Sequence, residues 1–269
     1  MYEVEKQAFS FPSEVALIDT PWKENAKLAI ETRYRFLPYN YTLAYKQAKH
    51  GQPLIAPLYY YFPSDTTAAN VQDQFMWGDR IMVAPVVEKG AKTRQYYLPA
   101  GKWISLNTEH IKILTGEKWY EDSITMNAIP VYAKEGSFIV QDFEMFETHN
   151  TSITQKVPPS KVVNHLVSVK PSADSVYMDD GESKSAITGN NKLIVFSSRR
   201  LADGSYEISI LTRGKYQQGR KDDIILLISG FEGQPASITV NGAKQNTRWK
   251  EKTLAITLSH LRSTKIIIR

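Results

Sequence analysis

Residues 71–87, VQDQFMWGDRIMVAPVV, carry the signals on which the fold of this chain depends. Acidic and aromatic side chains lie close together before Gly78, which predicts a turn because glycine adopts backbone conformations that other residues avoid. Residues 81–87 are then almost entirely apolar and predict a strand. The stretch is therefore either the rim of a catalytic pocket or the connection between two domains.

A helix and a buried strand are predicted on the N-terminal side of this stretch. Apolar residues recur at three- and four-residue steps within residues 21–51, which predicts a helix that ends at His50–Gly51. Pro38 should kink this helix or split it in two. Residues 53–63, PLIAPLYYYFP, are continuously apolar and predict a strand buried on both faces, as parallel strands are. One such unit cannot form a sheet alone, so we expect the first ~65 residues to be the end of something larger.

The pattern changes after residue 78. Short strand candidates follow one another with turn residues between them, and no helical periodicity intervenes. A polar linker that contains two prolines, FETHNTSITQKVPPS at residues 146–160, interrupts the series. Strands at this spacing predict antiparallel β-sandwich architecture on both sides of the linker.

Composition excludes several classes of function. The chain has 269 residues, a formal net charge of +5 and no cysteine, so disulfides, thiolate catalysis and cysteine-ligated zinc are excluded. Its 33 lysine and arginine residues are spread along the chain, whereas nucleic-acid binding usually requires a basic cluster on one face. No apolar run reaches the ~20 residues of a membrane-spanning helix, and MYEVEKQAFSF lacks a signal-peptide pattern. We therefore expect no nucleic-acid partner and no membrane association, and the sequence assigns no compartment.

The order of motifs from residue 21 to residue 140 resembles the C-terminal part of glycoside hydrolase family 31, which includes α-glucosidases and α-xylosidases. Five motifs agree in order and spacing. The matching residues are Arg33, Tyr34, Leu37, Pro38, Tyr39; Asp73, Gln74, Phe75, Met76, Gly78; Val83, Ala84, Pro85, Val86; Leu98, Pro99, Gly101, Trp103; and Pro130, Val131, Gly136, Ser137. VYMDDGES at residues 176–183 is similar to an acidic turn of the family's distal β-domain.

The resemblance implies a fold that is mainly β. Residues 1–78 would be the C-terminal remnant of a (β/α)8 TIM-barrel catalytic domain, contributing a helix and the last barrel strand. Residues 79–148 would form a proximal antiparallel β-sandwich domain, and residues 149–269 a distal one. The implied partners are the N-terminal catalytic part of the same enzyme and an oligo- or polysaccharide substrate. No cofactor and no metal are implied.

The catalytic motifs of the family are missing from this sequence. A retaining glycosidase needs two carboxylates about 5 Å apart, one as nucleophile and one as acid and base. In the family the nucleophile lies in a Trp-x-Asp-Met-Asn-Glu motif, and a substrate-binding histidine lies in a Phe-Arg-x-His motif before the Pro-Trp that corresponds to Pro21–Trp22. Neither motif occurs here, and the family's acid/base aspartate motif is absent too. We therefore assign no catalytic residue and expect this chain to be inactive alone.

Three residues are predicted to lie near substrate: Trp22, Asp73 and Trp77. Trp22 would follow the active-site loop and approach substrate. The indole rings of Trp77 and Trp103 could stack on sugar faces or, as we favour, fill a domain interface. Asp65, Asp73 and Asp79 are the acids nearest the end of the predicted barrel strand, where barrel active sites gather. They also suit turns and hydrogen-bonded anchors, which is the interpretation we favour for them. The stretch 71–87 is then a domain connection close to the pocket.

Two further hypotheses remain open at this point. Asp179, Asp180 and Glu182 could bind calcium or could form a tight acidic turn around Gly181. The second half of the chain could be a non-catalytic carbohydrate-binding β-sandwich. Finally, an uncovered apolar strand at residues 53–63 should promote self-association.

Overall fold

The structure is a computed structural model that describes residues 22–106, 111–126, 129–142, 161–181, 183–184, 188–216, 224–259 and 261–269. Its helices are α1 (Lys23–Arg35), α2 (Leu37–His50), α3 (Leu58–Tyr61) and α4 (Thr66–Asn70). Its strands are β1 (Ile55–Pro57), β2 (Phe75–Trp77), β3 (Ile81–Val83), β4 (Thr93–Leu98), β5 (Lys102–Ser105), β6 (Ile113–Thr115), β7 (Lys118–Ser123), β8 (Val131–Lys134), β9 (Phe138–Asp142), β10 (Lys161–Leu166), β11 (Ser172–Met178), β12 (Lys192–Arg200), β13 (Tyr206–Gly214), β14 (Ile224–Ser229), β15 (Ile238–Val240), β16 (Ala243–Lys244), β17 (Arg248–Lys250), β18 (Thr253–Leu258) and β19 (Ser263–Ile268). No described helix is long and apolar enough to cross a bilayer.

The predicted helix is split in two, as Pro38 indicated. α1 ends before Phe36, and α2 begins at Leu37 with the proline in its first turn. Proline is tolerated there because the first N–H groups of a helix have no partner within the helix. α2 ends at Gly51, which has a φ of +69° and donates its N–H to the Gln47 carbonyl oxygen at 2.9 Å. The predicted glycine C-cap is therefore confirmed.

The prediction of a long parallel strand at residues 53–63 is wrong. Only β1 is a strand there; it pairs antiparallel with β2 at the edge of a sheet, and its central residue alone is buried. Pro57 ends the ladder because proline has no N–H to donate, and α3 follows it immediately. The apolar run continues into this short helix, where Tyr59 and Tyr60 are exposed. The described elements thus do not confirm the end of a barrel.

The first β-region contains the stretch 71–87 at its centre. β2 and β3 form an antiparallel hairpin within a six-stranded sheet of order β1-β2-β3-β8-β5-β6, and β4 pairs with β7 beside it. All three residues of β3 are buried, so the strand predicted after Gly78 is confirmed over residues 81–83. The core of this region includes Met76, Tyr96, Trp103 and Tyr132, each at most 1% exposed.

The second β-region is a sandwich of two sheets that share one apolar core. Their strand orders are β17-β18-β14-β10-β9 and β11-β12-β13-β19-β15-β16, and both contribute buried valine, leucine and isoleucine. The expectation of a purely antiparallel sandwich needs one correction, because β10 and β14 run parallel. β11, β12 and β13 lie in the opposite sheet, so the chain crosses over between β10 and β14, as a parallel pair requires.

Sheet pairing crosses both of the predicted domain limits. β2 and β3 pair on either side of residue 78. β9 lies before the predicted limit at residue 148, yet it pairs with β10 of the second region. Residues 143–160, which include the predicted linker, lie outside the described residues.

A fully buried histidine lies where β9, β10 and β13 meet. His165 stacks on Phe138 with ring centroids 3.9 Å apart, and its Nδ1 lies 2.9 Å from the Ser137 carbonyl oxygen. Because that oxygen can only accept, Nδ1 carries the proton, and Nε2 lies 2.9 Å from the Tyr206 hydroxyl oxygen. Burial lowers the pKa of His165 from its usual value to about 4, although the hydrogen bond to Ser137 opposes this shift. The folded protein therefore holds His165 neutral.

We expect the stability of the fold to decrease in acid because of His165. Between pH ~6.5 and ~4 the unfolded chain binds a proton that the folded chain does not, so the free energy of unfolding decreases as the pH decreases. From pH 7 to pH 4.5 this contribution is about 2–3 kcal/mol. Urea unfolding at both pH values should show this loss in the wild type and in the control H50Q, which changes an exposed histidine. In H165Q the decrease in the free energy of unfolding from pH 7 to pH 4.5 should be smaller by about 2–3 kcal/mol. An unchanged pH dependence in H165Q would contradict a buried, neutral His165.

Candidate functional site

The turn after β2 rests directly on α2. The Tyr39 hydroxyl donates to the Trp77 carbonyl oxygen at 2.6 Å, and Gly78 donates its N–H to Leu54 O at 2.7 Å. Gly78 has a φ of +62°, and a Cβ there would lie 2.6 Å from Leu43 Cδ2 and 2.7 Å from the Tyr39 hydroxyl oxygen. Only glycine allows this approach. Gly78, which predicted the turn, therefore also lets the β2–β3 hairpin pack against α2.

The Trp77 side chain is held by α2 and by Phe36 at the break between the helices. Its Nε1 donates to Asn40 Oδ1 at 2.8 Å, and its ring lies 5.1 Å from Phe36 and 5.3 Å from Tyr39 between centroids. One side of the ring lines an apolar groove of about 320 Å³ that α1 borders with Leu28. The side chain therefore fills an interface, with one edge left accessible.

Asp73 lies at the opposite end of β2 and is bound by Arg94. Arg94 Nη1 lies 2.7 Å from Asp73 Oδ2, and Nη2 donates to the Asp73 carbonyl oxygen at 2.8 Å. Arg94 also donates from Nε to Pro85 O at 2.8 Å. These contacts connect β4, which contains Arg94, to the segment that precedes β2. Asp73 borders a cleft of about 280 Å³ together with Glu88 and Glu121.

The three residues predicted to lie near substrate do not share a cleft. Trp22 precedes α1 with its side chain 51% exposed, and it lines neither the groove beside Trp77 nor the cleft beside Asp73. Its carbonyl oxygen accepts the Ala26 N–H at 3.0 Å, so the backbone of Trp22 begins the helix.

Asp65 and Asp79 are structural anchors, as the favoured interpretation predicted. Asp65 Oδ1 caps α4 by accepting the N–H groups of Thr67 at 3.0 Å and Ala68 at 2.9 Å. Its other oxygen accepts from the Tyr97 hydroxyl at 2.9 Å, and burial together with this bond raises the pKa of Tyr97 to about 12. Asp79 accepts from Gln52 at 3.1 Å and pairs with Arg80 at 3.0 Å.

A buried acid that sequence reasoning missed connects α2 with both β-regions. The Asp174 side chain on β11 is 5% exposed; it pairs with Lys46 of α2 at 3.1 Å and with Arg80 of the β2–β3 turn at 3.4 Å. α2 reaches β11 again through Thr42 Oγ1, which accepts the Tyr177 N–H at 3.1 Å. No motif surrounds Asp174, so its partners on distant segments were not detectable in the sequence.

The charges at this junction shift the pKa values of nearby groups. Burial raises the pKa of Tyr39 well above its usual value, and Asp174 and Asp79 add to the effect. Burial would lower the pKa of Arg80, but the same two carboxylates outweigh it and the net shift is upward. Both groups therefore keep their protons, and the junction contains fixed charges rather than an acid or base that could act near neutral pH.

The acidic turn after β11 has local hydrogen-bond partners. Asp179 Oδ1 accepts the Gly181 N–H at 2.9 Å and the Tyr41 hydroxyl at 2.6 Å, and Asp180 accepts from Ser183. Glu182 lies outside the described residues. Within the described part of the chain, no group of three or more histidine or acidic residues is arranged to hold a metal ion.

Known glycosidases are similar to this chain in sequence and fold. The sequence profile described as Glycosyl hydrolase family 31 C-terminal domain matches residues 51–139, which include four of the five motifs in the resemblance. The chain is 28% identical over 209 residues to an α-glucosidase of Saccharolobus solfataricus, and this match covers 78% of the chain. It is 26% identical over 225 residues to α-glucosidase 2 of Bacillus thermoamyloliquefaciens, with 82% of the chain covered. A family 31 dextranase of Flavobacterium johnsoniae superposes on 93% of the chain with a TM-score of 0.77 and 25% identity.

The chain is similar to the C-terminal part of glycoside hydrolase family 31 enzymes, and residues 51–139 match the C-terminal domain of that family. The matches cover 28% and 27% of the lengths of the two α-glucosidases and 33% of the dextranase chain. The chain therefore spans about a quarter to a third of the length of these relatives.

Replacing Asp174 should destabilise this chain far more than replacing Asp73. D174N leaves Lys46 without its carboxylate partner and Arg80 with Asp79 alone, which should cost about 3 kcal/mol. D73N removes one partner from an aspartate whose side chain is 41% exposed and should cost less than about 1 kcal/mol. Urea unfolding at pH 7 measures both values. Similar losses in the two variants would show that the Asp174 ion pairs do not stabilise the junction.

Proposed function

We propose that this chain is the C-terminal part of a retaining α-glycosidase whose catalytic aspartate pair lies on an N-terminal part of the same enzyme. In such an enzyme one carboxylate attacks the anomeric carbon while a second, about 5 Å away, protonates the leaving oxygen. The absence of the family's catalytic motifs from this sequence supports the proposal. The anchored state of Asp65, Asp73 and Asp79 supports it further, because each carboxylate has a structural partner.

An exposed apolar face on the helices is the observation that carries the proposal. Ile30, Tyr34, Leu37 and Tyr41 are all exposed and are spaced by four, three and four residues along α1 and α2. No residue of α1 is buried. An amphipathic helix is normally stabilised by packing its apolar side against a neighbour, and a contiguous exposed patch of this kind marks an interaction surface.

The occupant we assign to this face is the N-terminal catalytic part. In this assignment α1 and α2 pack against the barrel of the catalytic part, and the two β-regions brace it. Trp22, which precedes α1, would approach the rim of the pocket, and Trp77 would fill the interface beside it. Asp73 would hold the adjoining connection in place through Arg94. An oligo- or polysaccharide with α-linked sugars is the substrate class this enzyme would take.

The alternative of a free-standing carbohydrate-binding module finds less support. Such modules hold sugar rings on exposed aromatic side chains. Among the described residues from 161 onward, the exposed large apolar side chains are Val169 and Leu211, and neither is aromatic.

Charges placed on the helical face should prevent association with the catalytic part. We expect the double variant I30D/Y34D to bind a separately produced N-terminal part at least about tenfold more weakly, because aromatic and aliphatic anchors contribute most of the energy of an interface. Titration calorimetry measures the affinity. K27D is the matched control, since it changes the net charge by the same two units at an exposed position of the same helix.

The same face should mediate self-association when the catalytic part is missing. Light scattering should show oligomers of the chain alone and a monomer for I30D/Y34D. Equal affinity of I30D/Y34D and K27D for the N-terminal part would contradict the assigned interface. A monomeric wild-type chain would contradict only the self-association.

A further inference from the structure

A large cleft lies where the turns of the first β-region face the loop between β10 and β11. Its volume is about 710 Å³, and it is formed by the β2–β3, β4–β5, β6–β7 and β8–β9 turns on one side and residues 168–173 on the other. Together with Phe62, residues from six separate segments therefore converge on one space. The catalytic proposal uses none of the side chains that point into it.

The floor of the cleft is built by close packing of two turns. Gly116 donates its N–H to Gly101 O at 2.7 Å, and Glu117 donates to Leu98 O at 2.7 Å. A Cβ at Gly116 would lie 1.8 Å from the Pro99 carbonyl oxygen, so no other residue fits there without moving the backbone. The two turns are thus fixed against each other and give the cleft a preformed shape.

Three lysine side chains line this cleft without a counter-ion. Lys102, Lys134 and Lys170 come from three different turns. Among the described residues, no carboxylate lies within ion-pair distance of any of the three ammonium groups, although Glu117 and Glu135 line the same cleft. Glu135 Oε1 instead accepts the backbone N–H of Lys102 at 3.0 Å.

Lys134 is the most constrained of the three. Its side chain is half-buried, and Nζ lies 4.6 Å from the centroid of the Phe62 ring, a cation–π contact. Burial lowers the pKa of Lys134, and the positive charge of Arg80 lowers it further. Arg80 is compensated by Asp79 and Asp174, whereas the charge of Lys134 is compensated only by the aromatic ring and more distant groups. An anion in the cleft would supply the missing partner.

We propose that this cleft binds an oxyanion through Lys102, Lys134 and Lys170, and that the oxyanion is carried by a polyhydroxylated ligand such as an acidic sugar. The three ammonium groups would surround the carboxylate, phosphate or sulfate group. Glu117 and Glu135 can accept hydrogen bonds from the several hydroxyl groups that a sugar places around its anionic group. The site is independent of the proposed catalytic role, because it lies entirely within this chain.

Calorimetric titration of the full chain at low salt tests the proposal with four probes: glucuronate, glucose 6-phosphate, inorganic phosphate and glucose. We expect the two acidic sugars to bind and glucose not to bind. Loss of a hydrogen bond to a charged group should weaken binding about tenfold or more in K134M. K134R should retain most of the affinity, since it keeps the charge. K244M, which removes one exposed lysine outside the cleft, should leave the affinity unchanged within about twofold.

The outcomes separate the sources of the anion. Binding of acidic sugars above inorganic phosphate supports a sugar-borne anion. Equal binding of inorganic phosphate supports the oxyanion site and removes its sugar component. Absence of binding by every anionic probe, equal binding of glucose and glucuronate, or equal effects of K134M and K244M would overturn the proposal. K102M and K170M change exposed lysines and repeat the test without altering the half-buried position.

Discussion

Helix α2 is the element that holds the two β-regions in a fixed relation. On one side Tyr39 binds the carbonyl oxygen of Trp77, and Leu43 contacts Gly78 so closely that no side chain fits between them. On the other side Thr42 accepts an N–H from β11, and Lys46 shares Asp174 with Arg80 of the β2–β3 turn. Hydrogen bonds, close packing and buried charge thus meet on three turns of one helix. Removing any of these contacts should weaken the attachment of the hairpin or the sandwich to the helix, so the stretch 71–87 is a structural connection.

Polar residues in this connection have structural partners. Asp65, Asp73 and Asp79 serve as a helix cap, a partner of Arg94 and an ion pair with Arg80. The indole N–H of Trp77 donates to Asn40. These side chains therefore join neighbouring segments, and in the proposed enzyme the groups that perform the reaction lie on another part of the protein.

Prediction from sequence was most successful for residues whose effect comes from their own backbone geometry. Pro38 predicted the break between α1 and α2, and Gly51 and Gly78 predicted a cap and a turn, because proline and glycine restrict or permit φ regardless of context. The strands of the sandwich were predicted from the turn residues that separate them. The prediction of a buried strand at residues 53–63 was wrong because continuous apolarity does not distinguish a buried strand from a short helix at a sheet edge. Asp174 and His165 could not be recognised, since their partners are more than twenty residues away in sequence and only the fold brings them together.

The central claim is that this chain supports a catalytic centre without supplying its carboxylates. The most direct measurement is hydrolysis of an aryl α-glucoside by the purified 269-residue chain, alone and after mixing with a separately produced N-terminal part. The account predicts no hydrolysis above background by the chain alone and hydrolysis by the mixture. Hydrolysis by the chain alone, lost in D73N, would contradict it.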